Sequence, residues 1–347
     1  MGMNHVKIEL PLRIDLAGGW SDTPPICNEC GGCVLNAAVE LEGRCPVVAE
    51  VTRIAGRVVE VESVDLGECG RLTTKRQIYG PKDPSDWCAL VKSALAVTEF
   101  HFSEGGLAIR ISAEVPKGSG MGTSSILGAA LVEALLRIRG EEPSRDRVAA
   151  LTVALEREMG TGGGWEDQLG AIHPGVKLIE TRRGSEQRFS VTRLGERAER
   201  DFAKYIAERG VLYFTGQKRM ARNVLRGVLS FYEENPDGIA HAIIHTLKKD
   251  ARQAFSALEN GDYDTFAAAL NAYWRCKKAL DPGSTNSQVE SIMARLTPWA
   301  DAATLAGAGG GGFLFAIAKN RAAKKKMMNV LDKAGNGGRC YSFKVSR

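Results

Sequence analysis

Ten residues near the middle of the chain, Pro116-Lys117-Gly118-Ser119-Gly120-Met121-Gly122-Thr123-Ser124-Ser125, restrict most sharply what it can become. A β-like run, Leu107 to Val115, leads into them. An apolar pattern at three-to-four spacing leads out through Leu127, Leu131, Ala134, Leu135 and Ile138. Glycine at every second position removes the Cβ atoms that would hold an anion away from the backbone. The free N–H groups and the positive end of the helix that follows then favour a phosphate. Thr123, Ser124 and Ser125 add hydroxyls able to cap the helix, bind phosphate or reach a metal. No Gly-Lys-Ser/Thr closes the segment, so it is not the usual P-loop. Its spacing and its depth in the chain also separate it from the dinucleotide fingerprint. Standing alone, it reads equally well as a tight turn with a serine cap.

Three other segments tip that balance. Thr161-Gly162-Gly163-Gly164-Trp165-Glu166-Asp167-Gln168 follows a second helical pattern, Val148, Leu151, Leu155 and Met159. A carboxylate on a glycine-bracketed loop, Asp167, can point into a cleft and accept a proton from a hydroxyl. Glu156, on the last part of the preceding helix, offers a hard oxygen ligand for Mg²⁺, although alone it reads as a solvated helix residue. Near the start, Arg13-Ile14-Asp15-Leu16-Ala17-Gly18-Gly19-Trp20-Ser21-Asp22 runs from a strand into a polar loop. An acid and an indole at such a turn suit a sugar, with Asp22 as acceptor and Trp20 as stacking face. Near the end, Ala306-Gly307-Ala308-Gly309-Gly310-Gly311-Gly312 precedes an apolar strand. Such a run is costly in chain entropy and makes sense where backbone must approach a ligand or another loop closely.

The remaining pattern is mixed. Val6 to Leu10, Val47 to Val51, Arg57 to Val61, Val176 to Glu180, Val211 to Phe214, Phe313 to Ala318 and Tyr341 to Val345 read as strands. Asp86 to Phe100, Lys218 to Tyr232, Gly238 to Leu258, Tyr263 to Leu280, Gln288 to Thr297 and a segment from Arg321 read as helices. The order lacks strict βαβ regularity, so the expected class is α+β with two domains, 1–185 and 186–347. The charged stretch Arg182 to Arg200 is the expected junction. At 347 residues both domains can bury a core. The net charge of +5 comes without a dense basic footprint and argues against nucleic acid. No apolar run approaches the roughly 18 residues of a membrane helix, and Met1 to Leu10 lacks the layout of a signal peptide. The expected location is cytoplasmic, and the 8 cysteines are read as reduced thiols.

Two other patterns are set aside. Cys27, Cys30 and Cys33 form C-x₂-C-x₂-C without a nearby fourth ligand, and His241 and His245 share a helix face without an accompanying glutamate.

The three glycine-bearing motifs and the Glu156–Asp167 pair, in this order, resemble the GHMP kinases from about Arg13 to Phe313. The resemblance implies a two-domain fold with the active site in the cleft between domains, and ATP and Mg²⁺ as cofactors. It places the nucleotide phosphates at Lys117, Gly118, Ser119, Gly120, Met121, Gly122, Thr123, Ser124 and Ser125. It puts Mg²⁺ on Ser124 and Glu156, and makes Asp167 the catalytic acid–base group. Arg13 would keep Asp167 ionised and offset charge at the γ-phosphate. Trp20, Asp22, Gly164, Gly309 and Gly310 would meet the substrate. Ile14 to Pro25, Gly31-Gly32, Leu35 to Leu41 and the Gly-Gly-Gly-Trp-Glu-Asp-Gln loop most resemble the kinase domain of L-fucokinases. The nearest rival is the kinase acting on D-glycero-D-manno-heptose 7-phosphate. The implied reaction is phosphate transfer to the anomeric hydroxyl of a sugar, with L-fucose first. A ligand-sensing protein of the same fold that has lost catalysis is the alternative from another class, and a homodimer stays open.

Overall fold

The computed structural model describes residues 3–80, 83, 86–116, 118–217, 221–235, 238–334 and 337–347. Lys117, assigned above to the phosphate loop, and Lys218, the expected start of a helix, lie outside the described residues. Packing groups the chain into two compact units, one built from 1–12, 45–115 and 122–173, the other from 13–44, 116–121 and 174–347. These segments interleave, whereas the expected domains divide the chain once, at 185/186. The reason lies in strand pairing. The early strand Cys33–Leu41 pairs antiparallel with Phe343–Val345, Val39 facing Val345, which ties a segment near the start to the end of the chain.

The first unit is a five-stranded sheet with helices on one face. Its strand order is His5–Leu10, Val47–Ile54, Gly106–Ala113, Val59–Ser63, Glu68–Leu72. Val59–Ser63 runs parallel to Gly106–Ala113, and the other neighbours are antiparallel. Along Gly106–Ala113 the inward Leu107, Ile109, Ile111 and Ala113 are buried, the alternation expected of a half-covered sheet. The helix Thr123–Ile138 packs on His5–Leu10 and Val47–Ile54. It also touches the helices Ala89–Val97, Arg145–Met159 and Glu166–Ile172. Its apolar stripe is therefore wider than the sequence pattern required: Ile126 to Val132 and Ala134 to Leu136 are all buried. A helix covered on nearly every side is the central beam of its layer. It fixes where its own N-terminus points, and that end carries the glycine-rich loop.

The second unit holds two sheets. One has the order Phe343–Val345, Cys33–Leu41, Val176–Thr181, Phe189–Arg193, with Leu12–Ala17 also paired to Cys33–Leu41. The other has the order Ala300–Leu305, Phe313–Ala318, Gly210–Phe214, Arg339–Tyr341. The single final strand expected over Tyr341 to Val345 is thus two short strands in different sheets. Nor is the charged stretch Arg182 to Arg200 a junction. Phe189–Arg193 pairs with Val176–Thr181, and the helix Glu196–Arg209 buries Phe202, Tyr205 and Ile206. The charges belong to the solvent side of an edge strand and of an amphipathic helix. The helices Ala221–Glu234, Ile239–Glu259, Tyr263–Leu280, Ser287–Leu296 and Arg321–Asp332 fall where periodicity expects them. No helix among the described residues is long and apolar enough to cross a membrane.

Leu131, fully buried in the central helix, tests this arrangement. Leu131→Ala is expected to cost about 2–5 kcal/mol by transfer and cavity terms together, measured by urea denaturation.

Candidate active site

In the first unit the loop ends on Gly122, whose φ of 71° lies in the left-handed region and which caps the helix Thr123–Ile138. A Cβ built on Gly122 would stand 2.7 Å from the Cγ of Asp167. The carboxyl group of Asp167 therefore rests against the backbone of the loop's last glycine, just ahead of a helix N-terminus. Asp167 is in the first turn of the short helix Glu166–Ile172, whose far end is anchored by buried Leu169, Ala171 and Ile172. Glu156 sits in the last turn of Arg145–Met159, buried, and that helix ends at Gly160 in the left-handed conformation. The Thr161 hydroxyl donates to the Glu156 carboxylate and, at 3.2 Å, to the Glu156 carbonyl. Burial pushes the Glu156 carboxyl above its usual range; hydroxyl hydrogen bonds from Thr161 and Ser125 pull it back in part, and the charge of Asp167 raises it further. Ser125, Glu156 and Asp167 are thereby brought together. Ser124 is exposed, so the hydroxyl found on Glu156 belongs to Ser125. Thr123 and Gly164 are half-buried. Two neighbouring carboxylates with hydroxyls beside them form a donor set suited to a hard divalent cation that keeps several waters.

In the second unit the centre is Asp15, which is fully buried. Its Oδ1 accepts from the Arg13 guanidinium at 3.0 Å and from the Gly307 N–H at 2.9 Å. Its Oδ2 accepts from the Tyr273 hydroxyl at 2.6 Å and faces the Lys277 Nζ at 3.5 Å. Burial alone would push the Asp15 carboxyl up, but Lys277 and Arg13, with the two further hydrogen bonds, outweigh it and hold the group below its usual range. The ammonium of Lys277 also donates to the carbonyls of Leu305 (2.7 Å) and Gly307, and lies 4.7 Å from the centre of the Tyr273 ring. Arg13 donates from the same nitrogen to the Gly120 carbonyl at 2.9 Å. The run 307–312 is thus a strap held close to the loop. Phe313 N–H donates to the Ser119 carbonyl at 2.9 Å, and a Cβ on Gly120 would stand 2.7 Å from the Ala306 carbonyl oxygen. The glycines near the C-terminal end serve approach to another loop, one of the two roles expected of them.

The other expected residues have definite places. Gly118 is exposed, and Ser119 and Met121 are buried. Gly309 is half-buried; Gly310 is buried, with its N–H donating to the Ser284 carbonyl and its C=O accepting from Asn286. Asp22 is buried. Trp20, expected as a stacking face, has φ 77° and packs its indole in a core cluster with Ile26, Val224, Val228, Leu247 and Tyr273. A bulky residue in that region carries about 1–2 kcal/mol of strain, which the packing offsets, so the indole anchors the loop. Beside it, Ser21 donates to the Gly18 carbonyl at 2.6 Å and accepts from the Cys33 N–H at 3.0 Å. Cys30 contacts the Tyr232 hydroxyl, and His241 stacks on the Tyr232 ring. No group of three or more metal-ligating His, Cys, Asp or Glu occurs among the described residues. Sequence reasoning named Asp15 without giving it a role and passed over Lys277 and Tyr273. A charge inside the apolar run Ile14 to Ala17 was the available signal for Asp15. Lys277, beside Lys278 on a helix, gave none.

Comparison with known proteins specifies the class of protein that carries these features. The model of the GHMP kinases N terminal domain matches residues 89–175, and that of the GHMP kinases C terminal domain matches residues 254–337. The chain is 38% identical over 334 residues to the bifunctional fucokinase/GDP-fucose pyrophosphorylase of Arabidopsis thaliana, covering 94% of this chain and 31% of that protein. It therefore spans about a third of that relative's length. It is 29% identical over 329 residues to the D-glycero-alpha-D-manno-heptose 7-phosphate kinase of Campylobacter jejuni, covering 90% of this chain and 89% of that protein. The crystal structure of a D-glycero-D-manno-heptose 1-phosphate kinase from Bacteroides thetaiotaomicron shares the fold, with a TM-score of 0.73 at 20% identity over 98% of this chain and 96% of that one. The chain belongs to the GHMP kinases.

Asp15→Asn leaves Lys277 and Arg13 buried without their counter-charge and is expected to cost about 3–5 kcal/mol, read by denaturant unfolding at neutral pH. Because the folded-state pKa of Asp15 is depressed, its stabilisation is present above the unfolded carboxylate pKa and is lost as pH falls through the folded value. The gap between wild type and variant should therefore narrow in acid, and a gap independent of pH would contradict the assignment.

Proposed function

We propose that this chain transfers the γ-phosphoryl group of ATP to the anomeric hydroxyl of a sugar, with L-fucose the first candidate. The observation that carries the reading is the placement of the Asp167 carboxyl against Gly122, beside Glu156 and ahead of the helix Thr123–Ile138. There a carboxylate can orient or deprotonate a hydroxyl while backbone N–H groups and the helix end receive phosphate oxygens. The buried Glu156 carboxyl with the hydroxyls of Thr161 and Ser125 beside it supports the reading, because these oxygen donors fit Mg²⁺. Glu156 and the hydroxyl of Ser124, with Ser125 beside it, would hold the ion. When bound, Mg²⁺ offsets charge on the β- and γ-phosphates. Arg13 would offset charge on the transferring group, and Asp22 would accept hydroxyls of the sugar. Positioning and charge neutralisation would supply most of the rate. L-Fucose is favoured by the 38% identity to the bifunctional fucokinase. A heptose 7-phosphate is the second reading, favoured by the match over 89% of that relative's length.

The test is ADP release from MgATP with L-fucose, D-galactose, D-mannose and D-glycero-D-manno-heptose 7-phosphate, with Asp167→Asn in parallel. Turnover on L-fucose, reduced about 10²–10⁴-fold in the variant, is the expected outcome for a lost general base. Turnover on the heptose phosphate alone would keep the mechanism and replace the substrate. Absence of turnover in a folded, nucleotide-binding protein would contradict the sugars tried and favour the non-catalytic alternative. Glu156→Gln is expected to raise the Mg²⁺ concentration giving half-maximal rate; an unchanged Mg²⁺ dependence would remove Glu156 from the metal site.

A further inference from the structure

The charged cluster around Asp15 holds only one end of the glycine strap. At the other end the partners are neutral amides, and we propose that Asn286 is a positioning residue for nucleotide binding, acting through the strap on the glycine-rich loop. The inference rests on the reading of that loop as a nucleotide site. Asn286 is the N-cap of Ser287–Leu296, its Oδ1 accepting from the N–H groups of Gln288 and Val289, both at 3.0 Å. Two backbone donors can bond only to the oxygen, so the orientation of the amide is fixed and Nδ2 faces the strap. Nδ2 donates to the Gly310 carbonyl at 2.9 Å and to Gln217 Oε1 at 2.8 Å. Gln217 is fixed in turn. Its Nε2 donates to Gln288 Oε1, and its backbone carbonyl accepts from the Gly312 N–H at 3.0 Å.

The chain of contacts continues to the loop. The Gly310 N–H donates to the Ser284 carbonyl at 2.5 Å, so both backbone polar groups of Gly310 are gripped by the segment 284–286. The Gly312 carbonyl accepts from the N–H and hydroxyl of Thr215, at 2.9 and 3.0 Å. One residue later Phe313 N–H holds the Ser119 carbonyl at 2.9 Å. Residues 309–312 have no side chains with which to fix themselves, so their place is set by these bonds. A slack strap would release Ser119, and the loop would have to be ordered again each time it closed on phosphate, a cost that appears as weaker binding.

Capping and positioning can be separated at this one residue. Asn286→Asp keeps an oxygen acceptor for the cap, and its charge suits a helix N-terminus. It loses the donor to Gly310 and sets a carboxylate against the Gly310 and Gln217 oxygens. Asn286→Ala loses both functions. The experiment is calorimetric titration of wild type and both variants with Mg²⁺ and a non-hydrolysable ATP analogue, with thermal melts of each. The expected result is nucleotide affinity weakened about tenfold in both variants, the value of one good hydrogen bond to a preorganised site. Only Asn286→Ala should melt clearly earlier than wild type. Wild-type affinity in Asn286→Asp overturns the inference, and so does a melting point in Asn286→Asp as low as that of the alanine variant, which would reduce Asn286 to a cap. A wild-type protein that binds no nucleotide overturns the functional reading itself, and the inference with it.

Discussion

One buried carboxylate, that of Asp15, organises the second unit's share of the site. An isolated charge in an apolar strand is prohibitive, so its presence demands donors from elsewhere in the fold. The four donors come from three separate segments: Arg13 two residues away, Gly307 from the strap, and Tyr273 and Lys277 from the helix Tyr263–Leu280. Two of the donors satisfy the acid and at the same time hold a glycine-bearing segment. Arg13 reaches on to Gly120, and Lys277 reaches on to Leu305 and Gly307. Segments too rich in glycine to define their own path are thereby given one. Such a cluster contributes little net stability against a well-packed apolar alternative, but breaking it is costly. Its value lies in fixing geometry.

The first unit solves the complementary problem with packing. The helix Thr123–Ile138 is buried on almost every side, so its N-terminus has a fixed direction. Gly122 lets the chain turn in the left-handed region at that end and leaves room that Asp167 fills. Burial, and to a lesser degree the nearby charge of Asp167, disfavours ionisation of Glu156. In one unit a buried acid is already neutralised by fixed cations.

Much of this was legible in the residues. The glycine alternation of 118–122, the hydroxyls after it and the Glu156–Asp167 spacing carried enough chemistry to be read, and long helices such as Tyr263–Leu280 announced themselves by period. Two kinds of feature escaped. Interleaving of the units escaped because the pairing of Cys33–Leu41 with Phe343–Val345 is a non-local contact that no local pattern encodes. The roles of Lys277 and Trp20 escaped because burial decides them. A lysine on a helix reads as a surface charge and an indole in a polar loop as a stacking face, until packing encloses the first and folds the second into a core. The charged run Arg182 to Arg200 misled for the converse reason, since charges mark the outer face of an edge strand and a helix as readily as a linker.

The central claim is that the glycine-rich loop, held by the strap, is where nucleotide phosphate binds. Amide hydrogen exchange of the segment 118–125, followed with and without MgATP, tests it most directly. Slowed exchange across that segment on addition of MgATP is the predicted result, because N–H groups within it would then donate to phosphate. Nucleotide binding that leaves exchange at 118–125 unchanged, with protection elsewhere in the chain, would contradict the account.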